Sequence, residues 1–178
     1  MTMEIAEHDP AWATLADRAG RELTAALPGL FQAIEHVGST AVPGLVAKPI
    51  IDLMASVETL EQVTAERAAV LAGLGYVAEE TGMTGRYFYY READTGRRAY
   101  HLHVVTAATW PTRNERLLRD HLRAHPEAVA AYAAVKRELV AERRSGLDYT
   151  KGKTEVIQRL IDREREARGL PRVDVWED

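Results

Sequence analysis

The run Ile50-Ile51-Asp52-Leu53-Met54-Ala55-Ser56-Val57 constrains this chain most: it is apolar almost throughout and bears one charge, Asp52. Apolar character sustained over a strand's length, without alternation, belongs to a strand covered on both faces. Helices packed on a sheet are therefore expected, which makes the fold class α/β (α+β). An ionised carboxylate in such a strand is costly unless it is paired or holds a metal. Asp52 is thus either the partner of an Arg or Lys, or a ligand.

The stretch before this strand, Gly38 to Pro49, contains two glycines and two prolines. Glycines let a backbone approach a ligand closely, and Ser39 and Thr40 add hydroxyls to the loop's N–H groups, as in loops that cradle phosphate. Lys48 supplies a cation. Asp52, on a rigid strand just beyond, is placed to hold Mg²⁺ or Mn²⁺ at the phosphates.

Elsewhere the pattern predicts a helix from Pro10 to Leu27 capped by Asp9, a strand from Leu30 to Val37, and a helix marked by Leu60 to Leu74 and closed by Gly73 or Gly75. Three short strands follow, Tyr76 to Glu80, Arg86 to Arg91 and Arg98 to Val105, with Asp94-Thr95-Gly96 as the turn between the last two. Thr112 and Glu115 fit a capping box for a third helix, which Pro126 interrupts or restarts. Asp148 is placed to cap a last helix ending near Gly169, and the tail Leu170 to Asp178 shows no periodicity. The expected organisation is one structural domain: a core over 1–110, a helical segment over 111–169, and a tail over 170–178.

The chain has no cysteine, so a metal here would be bound by His, Asp and Glu. A net charge of −4 gives no bulk positive field for gripping duplex nucleic acid. No apolar run approaches the roughly 20 residues that span a bilayer, and the N-terminus lacks the pattern of a secretory signal. The expected setting is the cytoplasm, without membrane or duplex nucleic acid as partner.

The segment EHVGSTAVPGLVAKPIID, Glu35 to Asp52, resembles the signature of the GrpB family, a branch of the nucleotidyltransferase-like fold. DPAW near the start, HLHVV at His101 to Val105, RDHLRAHPEAVAAY at Arg119 to Tyr132 and YTKGKTE at Tyr149 to Glu155 resemble family segments in the same order. The resemblance implies a mixed sheet with helices on one side and a C-terminal helical segment. It also implies an enzyme that binds a nucleoside triphosphate with a divalent cation and transfers a nucleotidyl or phosphoryl group to a small acceptor, or an ATP-dependent ligase. GrpB-like domains also occur fused to dephospho-coenzyme A kinase, where a supporting role fits a second reading: an inactive module that holds a nucleotide or phosphometabolite.

In that superfamily a Gly-Ser pair precedes a strand with two metal-binding carboxylates two residues apart, and a third acid stands on a neighbouring strand. Gly38-Ser39, twelve residues and Asp52 fit the spacing, but the second position is Met54. The strand expected to carry the third acid holds His101 and His103 on one face. If that face meets Asp52, the three form either a 2-His-1-carboxylate metal site or a phosphate pocket, and a phosphate pocket is the preferred expectation. The expected catalytic residues are therefore Asp52, which is also the metal ligand, Lys48, His101 and His103.

Alternation lets only one of Glu35 and His36 line a site, and His36 joins Gly38, Ser39 and Thr40 among the candidate phosphate-binding residues. Arg86 on the strand meander is a candidate clamp. Tyr149, Lys151 and Lys153 complete the set, since lysines at a helix start are unfavourable unless an anion sits there. Gly146 to Thr154 resembles a P-loop but has five residues between its glycines and follows a helical segment, so it is not one.

Overall fold

The computed structural model describes residues 5–142, 144 and 146–175. Its contacts divide the chain into two units: Pro10–Val37 with Ile50–Pro111, and Met1–Asp9 with Gly38–Pro49 and Thr112–Asp178. The loop Gly38–Pro49 thus groups with the C-terminal helices, although it joins two strands of the other unit.

The first unit is built on a five-stranded mixed sheet: β1 (Ala33–Val37), β2 (Ile51–Val57), β3 (Val77–Ala78), β4 (Arg86–Glu92) and β5 (Arg98–Thr106). The strand order is β1-β2-β5-β4-β3. β1 pairs antiparallel with β2, and β2 pairs parallel with β5. The apolar run places β2 inside the sheet, where Leu53, Met54, Ala55 and Val57 are all buried. α1 (Ala11–Ala26) packs on β1 and β2, with Gly20 against Ile34. The face bearing Ile34, Leu53 and Ala55 is therefore the one that α1 covers. The Asp94-Thr95-Gly96 turn forms as its residues predict, with Gly96 at φ 71° and Ala93 N–H donating to Arg97 O at 2.8 Å.

Several boundaries differ from the sequence reading. α1 starts after Pro10, which takes the cap position with a helical φ of −56° in place of Asp9. β1 begins at Ala33, because Gly29 at φ 76° first turns the chain. The next helix is split: a 3-10 turn at Leu60–Gln62 precedes α2 (Ala65–Gly73), whose true cap is Thr64, its hydroxyl accepting from Arg67 N–H. Gly75, at φ 87°, closes it, and Tyr76 N–H reaches back to Leu71 O at 3.0 Å.

The second unit holds α3 (Asn114–Ala124), α4 (Pro126–Ala141), α5 (Gly146–Gly152) and α6 (Thr154–Ala167), with α3 and α4 each packed on α6. Val42, Leu45 and Val46 of the loop share a core with Leu122, Tyr132, Ala133, Val156 and Leu160. The loop is a packed part of this unit.

At α3 the cap position falls to Arg113, one residue after Thr112, and the buried Arg165 donates to Thr112 O at 3.1 Å and Asn114 Oδ1 at 2.8 Å. Pro126 opens α4 at its first turn, as predicted. Asp148 caps nothing, for it lies inside α5. The tail is held as far as Val175: Gln158 donates to Val173 O at 2.8 Å and accepts from Val175 N–H at 3.0 Å. Residues 176–178 of the expected loose tail lie outside the described residues. Among the described residues no helix is long and apolar enough to cross a membrane.

The α4–α5 contact is close enough to exclude a methyl group. A Cβ at Gly152 would stand 2.5 Å from Leu139 Cδ2. Gly152→Ala should therefore destabilise the protein by about 1–3 kcal/mol through overpacking. Thermal melting checks this, and a Leu139→Ala background should remove most of the effect.

Candidate functional site

Two clusters of chemically active side chains stand out, one in each unit. In the sheet, pairing of β2 with β5 sets Asp52 beside His101 and Met54 beside His103. β4 brings Phe88 beside His103 and Arg86 beside Val105. All of these share the face opposite α1, by strand alternation. Val37, Met54, Val105 and Trp110 form its apolar part.

The polar contacts define proton positions. His101 Nδ1 lies 2.9 Å from Asp52 Oδ1. A carboxylate only accepts, so Nδ1 carries a proton. Its Nε2 is buried and without a hydrogen-bond partner among the described residues. Arg86 Nη1 lies 3.2 Å from His103 Nδ1. A guanidinium only donates, so His103 has its lone pair on Nδ1 and its proton on Nε2. The two imidazoles differ at Nδ1, which donates in His101 and accepts in His103, and the Phe88 ring packs against both, its centroid 5.1 Å and 5.0 Å from theirs.

This corrects two expectations. With Nδ1 engaged and Nε2 protonated, His103 offers a metal no lone pair, and a doubly protonated ring could not accept from Arg86. The sheet holds neither a 2-His-1-carboxylate site nor a cationic His pair, and among the described residues no three His, Asp or Glu side chains are arranged to hold a metal. Met54, fully buried, fills the second-ligand position. What remains is Asp52, one strand carboxylate, which fits a single oxygen-seeking cation that completes its shell with phosphate and water.

Other candidates fall elsewhere. His36 pairs with Leu53 and so faces the α1 side, whereas Glu35, opposite Met54, shares the face of Asp52. Arg86 is only 8% exposed and committed to His103, which removes it as a surface clamp.

The second cluster surrounds Ser39. Gly38, at φ 73°, makes the turn that starts a 3-10 helix at Ser39. Lys136, 2% exposed on α4, donates to Ser39 Oγ and to Val46 O at 3.0 Å, and its Nζ lies 4.6 Å from the Tyr132 ring centroid. Tyr132 also hydrogen-bonds Ser39, and burial holds its phenol far above the ordinary value. Arg123 Nε donates to Ala41 O at 2.9 Å. The loop is thus pinned near its start, middle and end.

Close to its end, Lys48 Nζ lies 5.0 Å and Lys153 Nζ 4.6 Å from the ring centroid of one tyrosine, Tyr149. Burial pushes the Lys48 ammonium down from its usual value and the Tyr149 phenol up. Tyr149, 2% exposed, is a packing surface for the lysines rather than a ligand hydroxyl. Thr40, also 2% exposed, has its side chain inside the fold. Lys151 is exposed and lines a depression on α5 and α6 where Glu155, Asp162 and Glu166 are interleaved with Arg159 and Arg163. It does not join Lys48 and Lys153.

Sequence reasoning missed Lys136 and Tyr132. Their signal was present: Tyr132, Lys136 and Leu139 follow the i, i+4, i+7 stripe of α4. A lysine on a buried stripe needs polar partners.

Comparison with known proteins gives a consistent picture. The family model described as "GrpB protein" matches residues 2–163. A UPF0157 protein of Pseudomonas aeruginosa is 39% identical over 169 residues, covering 90% of this chain and 67% of the relative. Another from Bacillus subtilis is 32% identical over 158 residues, and there the match spans only 45% of the relative's length. The crystal structure of the conserved protein GrpB from Enterococcus faecalis aligns with a TM-score of 0.78 at 26% identity, covering 93% of this chain and 99% of that one. The Cid1 poly(U) polymerase aligns at 0.51 with 13% identity over 76% of this chain and 42% of its own, a likeness of fold alone.

The opposed roles of Nδ1 are directly measurable. In ¹⁵N-correlated spectra, His101 should carry a proton on Nδ1, and His103 its proton on Nε2. Arg86→Met should abolish the preference at His103 and cost about 1–3 kcal/mol, the penalty for stranding a buried acceptor. A His103 proton on Nδ1 in the unaltered protein would contradict the assignment.

Proposed function

This chain belongs to the GrpB family, and we propose that it binds a nucleoside triphosphate and transfers a nucleotidyl or phosphoryl group from it to a small acceptor. One observation carries the reading: the ammonium groups of Lys48 and Lys153 are gathered about a single buried tyrosine, in the same unit as the Ser39 loop. Two ammonium groups about one ring offer two positive charges to a polyanion. Bound phosphate would also favour the charged form of Lys48, which burial disfavours. Ser39, at the start of its 3-10 turn, adds a hydroxyl. The nucleotidyltransferase-like fold supports the same class of chemistry.

Asp52 is the proposed holder of Mg²⁺ or Mn²⁺. Such a cation, when bound, supplies positive charge against the phosphate oxygens. Its second carboxylate oxygen, beyond the one bonded to His101, is the one offered. His101 and Asp52 are the residues proposed for the cation, and Lys48 and Lys153 those proposed for the phosphate.

Met54 favours a second reading. A fully buried thioether where the second metal ligand is expected removes a donor that a two-cation reaction needs. The chain would then hold a nucleotide or phosphometabolite without turning it over. Metal-dependent consumption of a triphosphate distinguishes the two.

Calorimetric titration with ATP, UTP and inorganic triphosphate, with and without Mg²⁺, tests the binding common to both. Lys48→Met and Lys153→Met should each weaken it about tenfold or more, the worth of one charge-assisted hydrogen bond. Asp52→Asn should abolish the Mg²⁺ enhancement and spare metal-free binding. No measurable binding of any triphosphate, or affinities untouched by both lysine changes, would sink the reading.

A further inference from the structure

Lys136 is the most deeply buried cationic side chain in the second cluster, and its contacts are chemically specific. Its nitrogen meets the Ser39 hydroxyl, the Val46 carbonyl oxygen and the Tyr132 ring, and Tyr132 hydrogen-bonds the same serine. Burial penalises an ammonium and favours the amine. Lys136 Nζ donates to Ser39 Oγ and to Val46 O and stands over the Tyr132 ring. Release of the proton it shares with Ser39 leaves its lone pair directed at the serine hydroxyl. Ser39 itself is only half-buried, whereas its neighbours Thr40 and Ala41 are buried. It follows directly after a glycine at positive φ, at the first residue of a helical turn. A half-exposed serine hydroxyl on a sharp turn, bonded to a buried lysine, has the composition of an activated nucleophile.

We propose that Ser39 is a nucleophile, with Lys136 as its general base, and that it accepts a phosphoryl group to form a covalent phosphoserine intermediate. The proposal rests on the reading that this unit binds a phosphorylated donor, and it goes further by making the chain itself the first acceptor. Ser39 Oγ bonds to the terminal phosphorus of the donor, and its proton passes to Lys136 Nζ. The bond from that phosphorus to the bridging oxygen breaks, and with ATP the nucleoside diphosphate leaves with the electron pair. Lys48 and Lys153, in the same unit, supply charge for the departing phosphate. An acceptor hydroxyl or water then takes the phosphoryl group from Ser39, and the proton balance is restored at Lys136.

Two probes test this in the full chain. A fluorophosphonate reports nucleophilicity alone: the Oγ–P bond forms as fluoride leaves, and peptide mass spectrometry locates the adduct. ATP labelled at the γ-phosphate reports the phosphoserine. Both should mark Ser39 once per chain, and Ser39→Ala should abolish the mark. Lys136→Arg is the decisive change, because arginine still donates to Ser39 and Val46 but cannot take a proton. It should slow fluorophosphonate labelling at least about a hundredfold, the usual contribution of a general base. If Lys136→Arg misfolds by circular dichroism, the charge state of Lys136 Nζ in ¹⁵N spectra of the unaltered protein decides instead: a neutral amine supports the proposal and an ammonium overturns it. Absence of a Ser39 adduct with either probe, or labelling undiminished in a folded Lys136→Arg protein, overturns it too. If the unaltered protein binds triphosphate by calorimetry but is never labelled, only the nucleophile fails. If it binds none, the underlying reading fails first.

Discussion

The structure depends on the way β2 lies between an antiparallel and a parallel neighbour. Because β2 is buried on both faces, its register must fit each apolar side chain to the cover on its own side, and a slip of one residue would exchange the two sets. The register that achieves this leaves Asp52 beside His101. The cost of the carboxylate in an apolar strand is offset by a neighbour's N–H rather than by a surface arginine or lysine. The same register lays Met54 next to His103 and Glu35 opposite Met54, so the chemistry of one sheet face follows from the burial requirement of a single strand.

Features governed by local physics were legible in the sequence. The apolar run, the hairpin turn at Asp94-Thr95-Gly96, the helix start at Pro126 and the breaks at glycines each depend on a few neighbouring residues. Those settled by distant partners were not. Arg165 reaches 51 residues back to Asn114 at the start of α3, a partner that the pattern of Thr112 and Glu115 does not announce. Gln158 fixes the backbone of Val173 and Val175, and so orders a segment with no periodicity of its own.

The candidate site divides in the same way. Asp52 and the Ser39 loop stood out because each breaks a local pattern. The state of His103 was beyond reach, since it depends on which group meets Nδ1, and that group is an arginine on another strand. Lys136 is the extreme case: 97 residues separate it from Ser39. Its presence changes the meaning of the glycine-rich loop. Held by Lys136 and Arg123 and seated on α4 and α6 through Val42, Leu45 and Val46, the loop is a preorganised platform rather than a pliable cradle. Preorganisation of this kind lowers the ordering cost when a ligand arrives.

The order of strands has a colloidal consequence. The long apolar strand β2 is interior, and the outermost positions belong to β1, five residues long, and β3, two residues long. Sheet edges are where unpaired N–H and C=O groups recruit foreign strands and seed fibrils. Here the apolar β2 is paired on both sides, and the outermost strands are too short to template growth. A mixed sheet with its most continuous apolar strand inside keeps that strand's N–H and C=O groups from recruiting a foreign chain.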